Sequence, residues 1–319
     1  MTTNQIVYLV FAIVLIVALL LDLGLMSKKD KTITIKTALM QTMFWVALAL
    51  AFFVFMWVEE GQTLALQYLS AYFMEWSLSI DNIFVFILIF SAFGVKEKFY
   101  GRVLLVGILM AIAFRIIFIT VGIALVEKFE WLLYIFGVFL LYTGFKMFAS
   151  NNEESFNPQE SKVYKFLQKF LPLAPHDGNG KYIIRENGKP VYTTLFIVVI
   201  MLAAIDLVFA LDSIPAVMGI SRDRLVIYTS NIFAVLGLRS LFFLLRSAVS
   251  KFDYLQQGIA IVLIFIGIKM LAEHYVSQWI DKNIQVVILL GVILVCISGS
   301  IFYSIFIKKK GLPKDIEEQ

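Results

Sequence analysis

Apolar residues in this chain run in long blocks, and each block ends at a short polar cluster. Nine blocks stand out, over residues 5–26, 38–58, 64–93, 102–125, 131–149, 193–219, 225–247, 254–274 and 283–307. A hydrocarbon layer of about 30 Å needs about 20 apolar residues of helix. The pattern therefore predicts an all-α, polytopic membrane bundle of about nine transmembrane helices, one transmembrane domain over 1–319. The first block follows Met1–Asn4 with no basic stretch and no small-residue cleavage site. It is also too long for a signal-peptide core, so it reads as a true span.

Composition narrows the class. Of 319 residues, 61% are hydrophobic and only 16% charged, against about 25% charged in soluble domains. The mean hydropathy is +0.88. A soluble domain cannot bury that much apolar surface, which excludes a soluble enzyme, a disordered chain and a nucleic-acid binder. One Cys and two His leave no intrachain disulfide and little material for a soft-metal site.

Charge asymmetry predicts orientation. Counted over alternate loops and the C-terminal tail, 19 of the 27 Lys and Arg collect on one side and 4 on the other. The positive-inside rule places the N-terminus outside and the C-terminus in the cytoplasm of a bacterial inner membrane. An odd number of spans agrees. The loop 150–192 falls in the cytoplasm. Within it, residues 161–173 put Val163, Phe166, Leu167 and Phe170 on one helical face and lysines opposite, as an interfacial helix would. Asn187-Gly188 between two β-prone runs predicts a small hairpin. His176 and Asp177 read as turn residues.

The remaining basic residues, Arg115, Lys146, Arg239 and Lys269, lie within spans and follow an internal repeat. Glu75 and Asp81 in the third span match Asp206 and Asp212 in the sixth, each pair separated by five residues. Arg115 with Phe118 matches Arg239 with Phe242, and TGFKMF at 143–148 matches IGIKML at 266–271. The unit is three spans, about 64–149 and about 193–274. Three is odd, so the second copy enters from the opposite side. Such inverted-topology repeats mark many secondary transporters.

An acid at the bilayer centre costs about 2.5–3.5 kcal/mol on insertion scales and normally marks an ion path. Glu75, Asp81, Asp206 and Asp212 are therefore the candidate metal ligands, supported by Asn82, Ser213 and Asn231. Six residues rotate a helix by about 240°, so Glu75 and Asp81 serve different layers or the helix breaks between them. Ser77 and Ser79 would satisfy loosened backbone, and Pro215 favours a kink in the sixth span. Oxygen-only ligands suit Mg²⁺, Ca²⁺ or Mn²⁺ over Zn²⁺ or Cu⁺. Arg115 and Arg239 would neutralise the acids of an empty site or move with a gate. Lys146 and Lys269 would snorkel to the interface or guard an entrance, and Asp22 reads as an interface or entrance residue.

The segments SLSIDNIFVF (77–86), DLVFALDSIPAV (206–217) and SNIFAVLGLRSLFFLL (230–245) resemble the TerC family of bacterial membrane proteins, which includes Alx-type manganese exporters. The resemblance runs from the first span to the ninth. It implies a bundle with inverted three-helix repeats and export of Mn²⁺, or of Ca²⁺, across the cytoplasmic membrane. Some relatives are linked to tellurite resistance and to metal loading of secreted proteins. The family's acidic positions map onto Glu75, Asp81, Asp206 and Asp212, and its Asn onto Asn82. Members commonly carry a further Glu three residues before Asp206, where this chain has Ala203.

The leading expectation is a secondary transporter that exports Mn²⁺ in exchange for protons, with metal as cargo and no tightly bound cofactor. Low-dielectric burial favours protonated carboxyls, which suits such exchange. The alternatives are a Ca²⁺ exporter, a cationic amino-acid exporter using Arg115 or Arg239 for the substrate carboxylate, and a non-transporting assembly factor contacting secretion machinery. The expected surroundings are the lipid bilayer and no nucleic acid. No HExxH motif appears, nor GxSxG in a plausible context, so an intramembrane enzyme is not expected.

Overall fold

The computed structural model describes residues 3–21, 33–149, 160, 162–186, 188–246 and 254–311, and the side chains of most of them. Asp22 lies outside the described residues. Asp81, Asp212 and His274 have described backbone only.

The chain is helical almost throughout. In order it forms α1 (Thr3–Leu21), α2 (Ile35–Glu59), α3 (Gln62–Ala92), α4 (Glu97–Lys128), α5 (Leu132–Ala149), α6 (Lys162–Phe170), β1 (Ile183–Glu186), β2 (Lys189–Tyr192), α7 (Thr194–Ile220), α8 (Arg224–Leu236), α9 (Leu238–Leu245), α10 (Leu255–Trp279) and α11 (Lys282–Gly311). Among the described residues, α2, α3, α4, α7, α10 and α11 are long and apolar enough to cross a bilayer, and α8 with α9 makes a seventh as a bent pair. The predicted count of nine is not reached by this measure. The described apolar stretches of α1 and α5, Ile6–Ala18 and Leu132–Phe148, are shorter, and at 1.5 Å per residue they fall short of about 30 Å.

The bundle's outer surface carries many large apolar side chains. Val58, Val295 and Phe302 are each more than 70% exposed, a face that suits lipid and not water. Trp57, Trp131 and Trp279 are exposed at one end of the bundle, where such rings sit at a membrane–water interface. The opposite end carries α6 and the hairpin.

Inside, α3 meets α2, α7, α8 and α11, α4 meets α7 and α8, and α5 lies along α10. Glycines bring α5 and α10 together. A Cβ on Gly144 would stand 2.6 Å from Ile264 Cγ1, and one on Gly267 would stand 2.8 Å from the Gly137 carbonyl. Small residues permit this approach because lipid supplies no hydrophobic drive between helices.

The acids of both repeats lie on continuous helices. Helix α3 runs unbroken through Glu75 and Asp81, and Ser77 bonds the Phe73 carbonyl of an intact turn at 2.6 Å. Helix α7 stays one element through Pro215. A break between elements falls at Gly237, where α8 and α9 bend by 42°. Ser240 Oγ donates to the Gly237 carbonyl at 2.9 Å there, sharing it with the Leu241 amide at 3.0 Å.

At the α6 end, β1 and β2 pair antiparallel with Glu186 opposite Lys189 and Gly188 at φ 78°. This hairpin is tied to the start of α4: Arg102 Nη1 donates to the Gly180 carbonyl at 2.5 Å, and Lys96 pairs with Asp177 at 2.7 Å. The loop is thus braced against the bundle.

Candidate functional site

Four helices converge mid-bundle on one guanidinium. Arg115 of α4 donates through Nε and Nη2 to both carboxylate oxygens of Asp206 on α7, at 2.9 and 3.1 Å. Its Nη1 donates to Glu75 Oε2 on α3 at 2.7 Å and to Asn231 Oδ1 on α8 at 3.1 Å. Arg115, Glu75, Asp206 and Asn231 are all at most 2% exposed. Glu75 Oε1 has no hydrogen-bond partner among the described residues. The cluster holds two carboxylates against one guanidinium, formally one negative charge in excess.

The planar fork of Arg matches a carboxylate at two points and stays charged. A bidentate, desolvated pair of this kind fixes both side chains, and removing one partner strands the other charge. The arrangement locks α3, α4, α7 and α8 in register through their rare polar residues.

Beside the cluster lies a cavity of about 270 Å³, lined by Leu78, Asn82, Arg115, Thr143, Lys146 and Ser213, among others. It reaches toward the α6 end, where Lys146 and Gln256 line it. Asn82 and Ser213 are buried, and Ser213 Oγ has no hydrogen-bond partner among the described residues. Asp81 and Asp212 directly precede these two residues in α3 and α7. Among the described residues, no three His, Cys, Asp or Glu side chains converge as a metal would need.

A second, smaller cavity of about 180 Å³ lies at the far end, lined by Gln67, Gly219, Ser221, Arg222, Lys269 and Glu273. Lys269 Nζ donates to the Gly219 carbonyl at 2.9 Å, tying α10 to the end of α7. Ser221 Oγ meets Gln67 Oε1 of α3 at 2.6 Å. Lys269 thus reaches one of the last carbonyls of α7, which have no amide partner within their own helix.

Arg239 is buried at the start of α9, with Nη2 3.6 Å from where a Gly101 Cβ would be. The hydrogen bonds of the central cluster described above all run through Arg115. Thr143 and Gln256 also line the cavity beside the cluster, and neither is charged enough to stand out in the sequence. Thr143 does open the TGFKMF segment of the repeat, a polar residue in an apolar run that could have been noticed.

Buried charges at the centre of an apolar, lipid-compatible bundle define a polytopic helical membrane protein. No solved structure matches the chain. Residues 60–312 match the family described as integral membrane protein TerC family, and the chain belongs to it. An uncharacterized membrane protein of Myxococcus xanthus is 41% identical over 277 residues, 87% of this chain and 86% of that protein. An uncharacterized membrane protein of Rickettsia bellii is 40% identical over 285 residues, 89% of this chain and 94% of its own length. The Escherichia coli protein named "Putative membrane-bound redox modulator Alx" is 37% identical over 292 residues, 89% of each chain.

Proposed function

We propose that this protein is a secondary transporter that exports divalent cations, Mn²⁺ first and Ca²⁺ second, in exchange for protons. In this reading α3–α5 and α7–α10 are inverted three-helix repeats, and the α6 end faces the cytoplasm. The observation that carries it is Arg115, whose bonds join Glu75 of one repeat to Asp206 of the other beside a cavity lined by Asn82 and Ser213. The packing supports it too. Exchanging α3 with α7, α4 with α8–α9 and α5 with α10 maps the contacts α4–α7 and α3–α8 onto each other.

Arg115 acts as a tethered cation that balances Glu75 and Asp206 when no metal is held. Metal enters from the α6 end, and the acids of both repeats, Asp81 and Asp212 included, supply its oxygens. Ala203 is buried and contributes no carboxylate. In this reading the Lys269 bond to the Gly219 carbonyl, which ties α10 to α7, is the contact that must open at the far end. Amino-acid export is less favoured, because Arg115 is already engaged by two carboxylates. The redox name belongs to the Escherichia coli relative. The sole Cys here, Cys296, cannot form an intrachain disulfide.

The test is cellular manganese content. A bacterium lacking its own manganese exporters is loaded with Mn²⁺ and expresses wild type, Asp81→Asn or Asp212→Asn at matched membrane levels. Wild type should lower manganese and both amides should not. Unchanged manganese with folded wild-type protein refutes manganese export and moves the test to Ca²⁺.

A further inference from the structure

The short helix α6 has three distinct stripes. Val163, Tyr164 and Leu167 turn toward the bundle, where the Tyr164 ring lies 5.3 Å from Phe93 at the end of α3. Phe166 and Phe170, one turn apart, are each 62% exposed, with ring centroids 4.7 Å apart. Lys162, Lys165 and Lys169 are exposed beside them, and Lys169 Nζ stands 5.7 Å from the Phe170 ring centre. Positions i, i+3, i+4 and i+7 share a helix side, so the lysines form one band and the two rings another.

The helix is held by structure around it. The Tyr192 amide donates to the Pro172 carbonyl at 2.9 Å, and the Ala174 amide donates to the Tyr192 carbonyl at 2.8 Å. The turn that leads into the hairpin is anchored to the base of α4, Gly180 by Arg102 and Asp177 by Lys96. The aromatic pair is therefore displayed from a fixed scaffold. Two large rings side by side gain little by facing water. A band of lysines beside an apolar stripe suits the boundary between acyl chains and anionic headgroups.

We propose that α6 is a docking surface for anionic phospholipid, with Phe166 and Phe170 seated among acyl chains and Lys162, Lys165 and Lys169 on headgroup phosphates. The occupant follows from charge complementarity, since three cations line the apolar pair, and from the surface's place at the end of a lipid-facing bundle. The inference does not rest on metal export. A protein partner is the competing occupant, and it would leave the rings in water when the chain is alone in a bilayer.

The test uses the full chain carrying Cys296→Ser, reconstituted in phosphatidylcholine vesicles with about 30% phosphatidylglycerol. Nitroxide labels at Phe166→Cys, Phe170→Cys and Lys165→Cys are read for collisions with oxygen and with a water-soluble nickel chelate. The two Phe positions should favour oxygen, and Lys165 should favour nickel. Separately, selectivity for spin-labelled phosphatidylglycerol over phosphatidylcholine should fall at least about twofold when Lys162, Lys165 and Lys169 all become Gln. Nickel access at both Phe positions equal to that at Lys165 overturns the seating of the rings. Unchanged lipid selectivity in the folded triple variant overturns the headgroup contact. The two arms use different variants, so misfolding of one leaves the other decisive.

Discussion

Replacing Arg115 with Met keeps a long side chain but removes the cation between Glu75 and Asp206. Four hydrogen bonds of 2.7–3.1 Å disappear with it. Two carboxylates then remain at most 1% exposed, with no counter-charge between them. Breaking a buried pair by removing one partner costs about 3–5 kcal/mol, and here two acids are stranded. Asp206→Asn is gentler. It leaves the Arg115–Glu75 pair intact and forfeits charge-assisted bonds of about 1.5–3 kcal/mol. Combining the two should cost less than their sum, because Arg115→Met has already lost the bonds that Asp206→Asn removes. The expected coupling is at least about 1.5 kcal/mol. The assay is reversible unfolding of the reconstituted or detergent-solubilised protein, with all variants compared in one double-mutant cycle. Costs that add within about 0.5 kcal/mol would refute the view of Arg115 and Asp206 as one electrostatic unit.

Other expectations follow from separate contacts. Gly144→Leu should destabilise the bundle by about 1–3 kcal/mol or prevent assembly, read as unfolding or loss of folded yield, because its first added carbon would already collide with Ile264 and the Ala260 carbonyl. Lys269→Met should increase labelling of Ser221→Cys by a membrane-impermeant thiol reagent in a Cys296→Ser background, since the tie to the Gly219 carbonyl is gone; unchanged labelling would mean the tie holds nothing shut. At the α6 end, the hydrogen bond from Lys96 holds the Asp177 carboxyl below its ordinary value of 3.8. A lowered folded value means the pair's small contribution is complete above that ordinary value and is lost as pH falls through the lowered one. The difference in melting temperature between wild type and Asp177→Asn should therefore shrink with acidification below pH 3.8.

Much of the architecture is visible in the order of residues, because bilayer insertion is a local matter. Each run of about 20 apolar residues favours a helix on its own account. The hairpin at Gly188 and the amphipathic α6 rest on turn chemistry and periodicity inside short segments, so they too are legible. The cost of burying a charged or polar group likewise marks Glu75, Arg115, Asp206 and Asn231 as residues with work to do, and all four lie within the stretch that matches the family. What the sequence leaves open is partnership. That Arg115 holds Asp206 with two nitrogens and Glu75 with a third, while Arg239 lies elsewhere, depends on the rotation and depth of four packed helices. The 42° bend at Gly237 has the same origin, since packing against neighbours decides where a span yields. Lys269 looks free to snorkel until α7 presents the Gly219 carbonyl beside it. Hydropathy and spacing act along the chain and can be read there, whereas hydrogen-bond partners are chosen between helices that only the assembled bundle brings together.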